Sequence, residues 1–158
     1  MDREEFIHAV SGEQEPVRRF LLSLCNGDSF TADDIAQDTM LKAWMAADLF
    51  CGKSKLSTWL FRIAYNTWCD RKYVSCTENI DTKETLSKAD ENSPEDRFRY
   101  EPLYQAISEL NPREKAAILL FYMEDKDIKE ISSIMHIPAG TVKSLLSRGR
   151  AKLRIKLR

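Results

Sequence analysis

The side chains of this chain best suited to chemistry are the cations near its carboxyl end. Residues 141–158, TVKSLLSRGRAKLRIKLR, hold seven Lys or Arg and no Asp or Glu, whereas the whole chain has 24 basic and 25 acidic residues. Val142, Leu145 and Leu146 recur at helical spacing among these cations, which predicts a basic amphipathic helix. Such a helix can lie on a membrane surface, fit the groove of a protein partner or enter the major groove of DNA.

The residues before the basic helix favour the third alternative. Asp127 and Glu130 form a capping pattern at the start of a short helix over 127–135, and Pro138 ends the three-residue turn after it. Helix, short turn and basic helix make up the helix-turn-helix motif, whose second helix reads bases with its first turns. The residues placed there are Ala139, Thr141, Lys143, Ser144 and Ser147. Arg148, Arg150 and Lys152 are better placed for phosphates, which set affinity rather than sequence preference.

A helix predicted over 32–48 carries a second stripe beside its core residues. Its members are two apolar side chains framed by polar and acidic ones: Asp34, Gln37, Asp38, Leu41 and Met45. Such a stripe is either a solvated surface or a protein interface, and its composition alone does not separate the two. Thr31 with Asp34 is the predicted cap of this helix.

A helix predicted over 55–73 also carries a second face, in this case aromatic and basic. The face and its surroundings comprise Phe61, Arg62, Tyr65, Asn66, Trp68, Arg71 and Lys72. Rings and cations together suit single-stranded DNA, because bases stack on rings while cations follow the phosphates. A second packing face is an equally good interpretation of the rings.

The sequence contains no pattern typical of catalysis, phosphate-loop binding or metal binding. There is no paired nucleophile and histidine, no Gly-rich phosphate loop and no metal-ligand spacing, so we expect neither enzyme activity nor a cofactor. The four cysteines lack C-x-x-C spacing and are expected to be reduced thiols. No apolar run approaches the ~20 residues that span a bilayer, and the acidic start does not resemble a signal peptide, so we expect a cytoplasmic protein without membrane insertion.

Helices that carry these faces account for most of the chain, and the fold class is predicted to be all-α. Asn111 with Pro112 starts one helix of the second half. The acidic stretch 74–97 lacks apolar periodicity and is predicted to be a linker. We therefore predict two small helical domains, over 1–73 and 100–158, joined by a flexible linker over 74–99.

Three segments, in order, resemble the extracytoplasmic-function sigma factors, which are bacterial transcription initiation subunits. The polymerase-binding helix of that family is similar to DDIAQDTMLKAW (33–44). Its helix for the minus-ten promoter element is similar to STWLFRIAYNTWCDRK (57–72). Its second domain is similar to LNPREKAAILLFYMEDKDIKEISSIM (110–135) followed by IPAGTVKSLLSRGRAKLR. Leu145 stands where many relatives carry Arg, and Gly149 where Ala is usual. Leu145 also lies on the core stripe, where it can simply pack.

The resemblance implies partners and sites. Core RNA polymerase would bind the 34–45 stripe, duplex promoter DNA would bind the second half, and an anti-sigma factor is a further candidate partner. The melted minus-ten strand would contact Lys55, Ser57, Phe61, Arg62, Tyr65, Asn66, Arg71 and Lys72. The matching Asn of the family helps to hold a flipped base, and the loop 52–56 lies where relatives capture it. The acidic linker is compatible with the polymerase's RNA exit path.

Two rival functions stay open at this point. One is a helix-turn-helix regulator that acts without polymerase, and the other is a cytoplasmic interaction or membrane-surface protein that uses its basic helix. Binding to core polymerase separates the first rival from a sigma factor, and binding to vesicles rather than promoters would favour the second.

Overall fold

A computed structural model of the chain describes residues 2–50, 52, 54–78 and 94–157, with the side chains of 72–100 left undescribed. Helices and no strands form in this part, which confirms the all-α prediction. The α-helices are α1 (Arg3–Ser11), α2 (Gln14–Leu24), α3 (Ser29–Met45), α4 (Leu56–Glu78), α5 (Pro94–Ser108), α6 (Pro112–Ile118), α7 (Ile128–Met135) and α8 (Ala139–Lys156). A 3₁₀ turn (Ala47–Leu49) follows α3, and α6 widens into a π-helical turn (Leu119–Met123).

Short polar side chains fix where three of these helices begin. The Asn111 side chain accepts a hydrogen bond from the Glu114 amide at 2.9 Å, with Pro112 next in the chain, as predicted. Asp127 and Glu130 form the predicted capping box of α7. The predicted cap of α3 is wrong: α3 begins at Ser29, and Asp28 accepts bonds from both the amide and the hydroxyl of Thr31.

The predicted linker is partly helical. Helix α4 continues to Glu78 and α5 begins at Pro94, so both extend into the stretch 74–99. The rest of that stretch, residues 79–93, lies outside the described residues.

The amino-terminal helices pack around one apolar core. Helix α2 supplies Val17, Phe20 and Leu21, and the rings of Phe20 and Phe61 meet edge to face with centroids 5.3 Å apart. Ile35 of α3 closes the core from the other side. These contacts hold α3 and α4 side by side, so the outer stripe of α3 faces away from the core.

The carboxyl-terminal helices bury a second apolar set that positions α8. Its largest members are Leu119, Leu120, Ile131, Ile134 and Leu146. Gly149 allows the close approach of α8 to α6, because a Cβ built at Gly149 would lie only 2.8 Å from Ile118 Cγ1. Leu145 is buried, so the packing interpretation of this residue is confirmed.

The two halves of the chain also contact each other. Helix α4 packs along α7, and the C-terminal end of α2 meets α6. Within the described residues, no helix is long and apolar enough to cross a membrane.

Candidate nucleic-acid interface

The turn between α7 and α8 aims the basic helix outward. His136 adopts a left-handed conformation with φ of 55°, which ends α7, and the Ser132 hydroxyl donates to the Ile137 carbonyl at 2.5 Å. Helix α8 then starts directly after Pro138. This is the helix, turn and helix that the sequence predicts.

The predicted base-reading residues lie on the outer face of α8. Lys143, Ser144, Ser147 and Arg148 are exposed and line one groove on the surface. Ala139 is exposed as well, and Thr141 is half-buried. The structure thus brings all six predicted residues to the first three turns of one helix.

The cations of α8 divide into paired and unpaired groups. Lys152 contacts the buried Glu114 at 2.7 Å, and Lys156 contacts Glu109. Arg150 donates to the Tyr122 hydroxyl at 2.5 Å, and its guanidinium lies 5.6 Å from the centroids of the Phe121 and Tyr122 rings. Among the described residues, no acidic side chain pairs with Lys143 or Arg148. Arg150 and Lys152, predicted to contact phosphates, are thus engaged by other side chains in this structure. Within the described part of the chain, the α8 cations without such a contact are Lys143 and Arg148 near its start and Arg154 near its end.

The outer stripe of α3 is exposed, and it is longer than the sequence suggested. Leu41 and Met45 are 58% and 75% exposed. Two further apolar side chains were missed: Phe30, 83% exposed, and Leu49, 78% exposed. The spacing of 30, 34, 37, 41 and 45 is the signal that could have found Phe30, since these positions share one helical face.

Arg71 of α4 reaches across to this stripe. Its guanidinium contacts one oxygen of Asp34 and one of Asp38, each at 2.5 Å. The hydrogen bonds to Asp34 and then Asp38 raise the pKa of Arg71 above its ordinary value. The structure therefore places a residue predicted to contact DNA beside two residues predicted to contact protein.

The aromatic face of α4 is covered. Phe61 is fully buried, and Tyr65 and Trp68 are 7% and 6% exposed. Lys126 of the second half lies 5.1 Å above the Phe61 ring. Burial, with the nearby Cys69 thiol, raises the pKa of the Tyr65 hydroxyl. In this arrangement the rings form a packing face, which was the alternative interpretation.

The polar residues around that face differ in what they contact. Asn66 is exposed at the edge of a cleft of about 760 Å³, whose other walls include Arg113, Thr141 and Arg148. Arg62 Nε donates to the Ser133 carbonyl at 3.1 Å, and Ser57 accepts a bond of 2.9 Å from Lys126. Lys55 is exposed, and the Lys72 side chain lies outside the described residues.

Comparison with known proteins agrees with this geometry. The family profile described as Sigma-70 region 2 matches residues 10–72, and that described as Sigma-70, region 4 matches residues 100–153. The chain is 35% identical to the ECF RNA polymerase sigma factor SigW of Bacillus subtilis, over 84% of this chain and 78% of SigW. It is 33% identical to SigM of the same organism, over 87% of this chain and 86% of SigM.

Solved structures share the fold. The sigma factor RpoE from Bartonella quintana, in complex with the anti-sigma factor NepR, superposes with a TM-score of 0.82 at 25% identity, over 98% of this chain and 97% of RpoE. The structure of CnrH in complex with the cytosolic domain of CnrY gives a TM-score of 0.74 at 20% identity, over 99% of this chain and 89% of CnrH.

These matches define a two-domain protein of the sigma-70 class. The chain belongs to the extracytoplasmic-function sigma factors, and it is a transcription initiation factor that binds DNA and RNA polymerase.

Proposed function

We propose that the chain divides this work between domains over 1–73 and 100–158, linked by 74–99. The first would bind core RNA polymerase and the melted minus-ten strand, and the second would bind the duplex minus-thirty-five element. The single observation that best supports the division is the outer stripe of α3, where large apolar side chains are exposed although nothing in the fold needs them there. Acting on bacterial polymerase implies a cytoplasmic location, and the role requires no chemistry of the chain's own.

For the polymerase, the proposed docking surface is the α3 stripe. It comprises Asp34, Gln37, Asp38, Leu41 and Met45, extended by Phe30 and Leu49. The two apolar ends would be desolvated on binding, while Arg71 holds the central acids in fixed positions. For Arg71 itself, support for polymerase contact is thus stronger than for DNA contact.

For the melted strand, the proposed residues are Asn66, Tyr65, Arg62, Lys55, Ser57 and Lys72, with Phe61 behind them. Asn66 can both donate to and accept from a base edge, and it is exposed. For the duplex, the proposed residues are Ala139, Thr141, Lys143, Ser144 and Ser147 for bases and Arg148 for a phosphate, since all lie at the start of α8.

An anti-sigma factor is a further proposed partner. Support comes from the likeness to RpoE in its complex with NepR, which extends over both domains of this chain.

Replacing Leu41 with Asp tests the docking surface. Because Leu41 is exposed, the variant should fold normally yet lose core polymerase binding and run-off transcription. Ile155→Asp, at an apolar residue of α8 that is 73% exposed, is the matched control and should keep polymerase binding. Equal binding of both variants would contradict the α3 assignment, and a wild-type chain that binds duplex DNA but not polymerase would favour the stand-alone regulator.

A further inference from the structure

The π-helical turn after α6 places two aromatic rings beside the basic helix. The Glu124 amide donates to the Leu119 carbonyl, five residues back, at 3.1 Å, which widens the helix at this point. Leu119 and Leu120 are buried in the core, whereas Tyr122 is 56% exposed. The rings of Phe121 and Tyr122 meet edge to face, with centroids 5.0 Å apart. Turns of this kind are frequent at functional sites, and the function proposed above leaves this one unused.

The two rings hold Arg150 in place without neutralising it. Arg150 Nε donates to the Tyr122 hydroxyl at 2.5 Å, and the guanidinium lies 5.6 Å from each ring centroid. Among the described residues, no acidic side chain pairs with Arg150, whereas Lys152 is neutralised by Glu114 at 2.7 Å. Arg150 therefore keeps its positive charge on a side chain that is already ordered, so less entropy is lost when an anion binds to it.

The Tyr122 hydroxyl still has a proton to donate. A guanidinium can only donate, so the hydroxyl is the acceptor in its bond with Arg150. Within the described part of the chain, nothing accepts the hydroxyl proton in turn. Tyr122 is exposed and Arg150 is half-buried, so a ligand can approach both from solvent. A cation and an O–H donor side by side suit a phosphate, whose oxygens are strong acceptors.

The position of Arg150 on α8 indicates which phosphate it would meet. Successive residues of an α-helix are about 100° apart, so Arg148 and Arg150 project about 160° from each other. Lys143 lies seven residues before Arg150 and shares its edge of the helix. The major groove is about 12 Å wide, and a helix inside it has one phosphate strand on each side. Cations on opposite edges of α8 therefore meet different strands.

We propose that Tyr122 and Arg150 form a second phosphate site for duplex DNA. The Tyr122 hydroxyl and the Arg150 guanidinium donate to one phosphate, on the strand opposite to the one that Arg148 contacts. The site extends the duplex surface from α8 to the turn after α6, and it rests on the proposed function of α8.

Salt titrations of the full-length chain separate the two donors. Labelled duplexes carry a promoter found by run-off transcription or its scrambled sequence. Arg150→Ala should lower the slope of log affinity against log salt by about 0.9 on both duplexes. Tyr122→Phe keeps the ring and loses only the hydroxyl, so it should weaken binding on the order of tenfold at every salt concentration. Tyr104→Phe, at a tyrosine of α5 that is 41% exposed, is the matched control and should bind as the wild type does.

Neutral phosphates identify the strand. In duplexes that carry one methylphosphonate at a time, the wild type should lose affinity at each phosphate that it contacts. Arg150→Ala and Tyr122→Phe should both become less sensitive at one and the same phosphate. Arg148→Ala should become less sensitive at a phosphate of the other strand. A general loss of stability would not remove the sensitivity to a single phosphate.

Three results would overturn the inference. Wild-type affinity of Tyr122→Phe would show that its hydroxyl does not contact DNA. Changed sensitivity on the same strand in the Arg148 and Arg150 variants would remove the second site. In both cases a flatter salt slope in Arg148→Ala would leave the proposed function of α8 intact. A wild-type chain that binds neither duplex would instead contradict the function proposed for α8, and the second site with it.

Discussion

Removing the Arg148 guanidinium should weaken duplex binding in a manner that depends on salt. Arg148 is exposed near the start of α8, and among the described residues no acidic side chain pairs with it. It is therefore the cation of α8 best placed to contact a phosphate and release the counterions condensed on the DNA. We expect Arg148→Ala to weaken binding to promoter and scrambled duplexes alike, because a phosphate contact carries no sequence information.

The size of the effect follows from counterion release. One lost phosphate contact lowers the slope of log affinity against log salt by about 0.9. Between about 50 mM and about 200 mM salt, a fourfold range, the penalty of Arg148→Ala should therefore shrink by about 3.5-fold. Titration of labelled duplexes at four or five salt concentrations, followed by fluorescence anisotropy, resolves a change of this size.

Lys156→Ala is the matched control. Lys156 is already paired with Glu109, and it lies eight residues further along α8, about 12 Å at about 1.5 Å per residue, beyond a Debye length of about 10 Å. The Lys156→Ala variant should therefore keep a slope of log affinity against log salt near that of the wild type. If Lys156→Ala flattens the slope as much as Arg148→Ala does, the positive field is diffuse and the contact assigned to Arg148 is wrong.

Three further predictions concern single positions. Asn66→Ala should reduce permanganate reactivity of the minus-ten strand more than it reduces duplex binding, since Asn66 is exposed and does not support the fold; normal melting would remove its assigned role. Gly149→Ala should lower the free energy of unfolding by about 1 kcal/mol in chemical denaturation. The new Cβ would lie 2.8 Å from Ile118, and this clash outweighs the gain in helix propensity of about 1 kcal/mol. A stabilised variant would mean that Ile118 moves aside. Burial raises the pKa of the Cys25 thiol to about 11, so less of it is thiolate at pH 8 than in the unfolded chain. Alkylation of Cys25, followed by mass spectrometry, should therefore be on the order of a hundredfold slower in the folded chain. Equal rates would show that Cys25 is not buried in solution.

Local patterns predicted the recognition motif well. Asn111, Asp127 and Pro138 act on backbone groups within four residues, so their effects can be read directly from a short stretch of sequence. The start of α3 was misplaced because its apolar core stripe begins only at Ala32, whereas Asp28 caps the helix one turn earlier. The first turn instead carries the exposed Phe30, which belongs to the outer stripe, so the core periodicity used to place the helix start does not include it.

Contacts between distant residues could not be predicted in this way. Arg19 and Glu124 are 105 residues apart, and nothing in either neighbourhood indicates that the two side chains meet. The buried Lys115 is similar: it donates to the Leu24 carbonyl and to Asn26, at the carboxyl end of α2, where a cation is favourable. The second face of α4 was ambiguous for the same reason, since a sequence does not show whether distant residues cover that face.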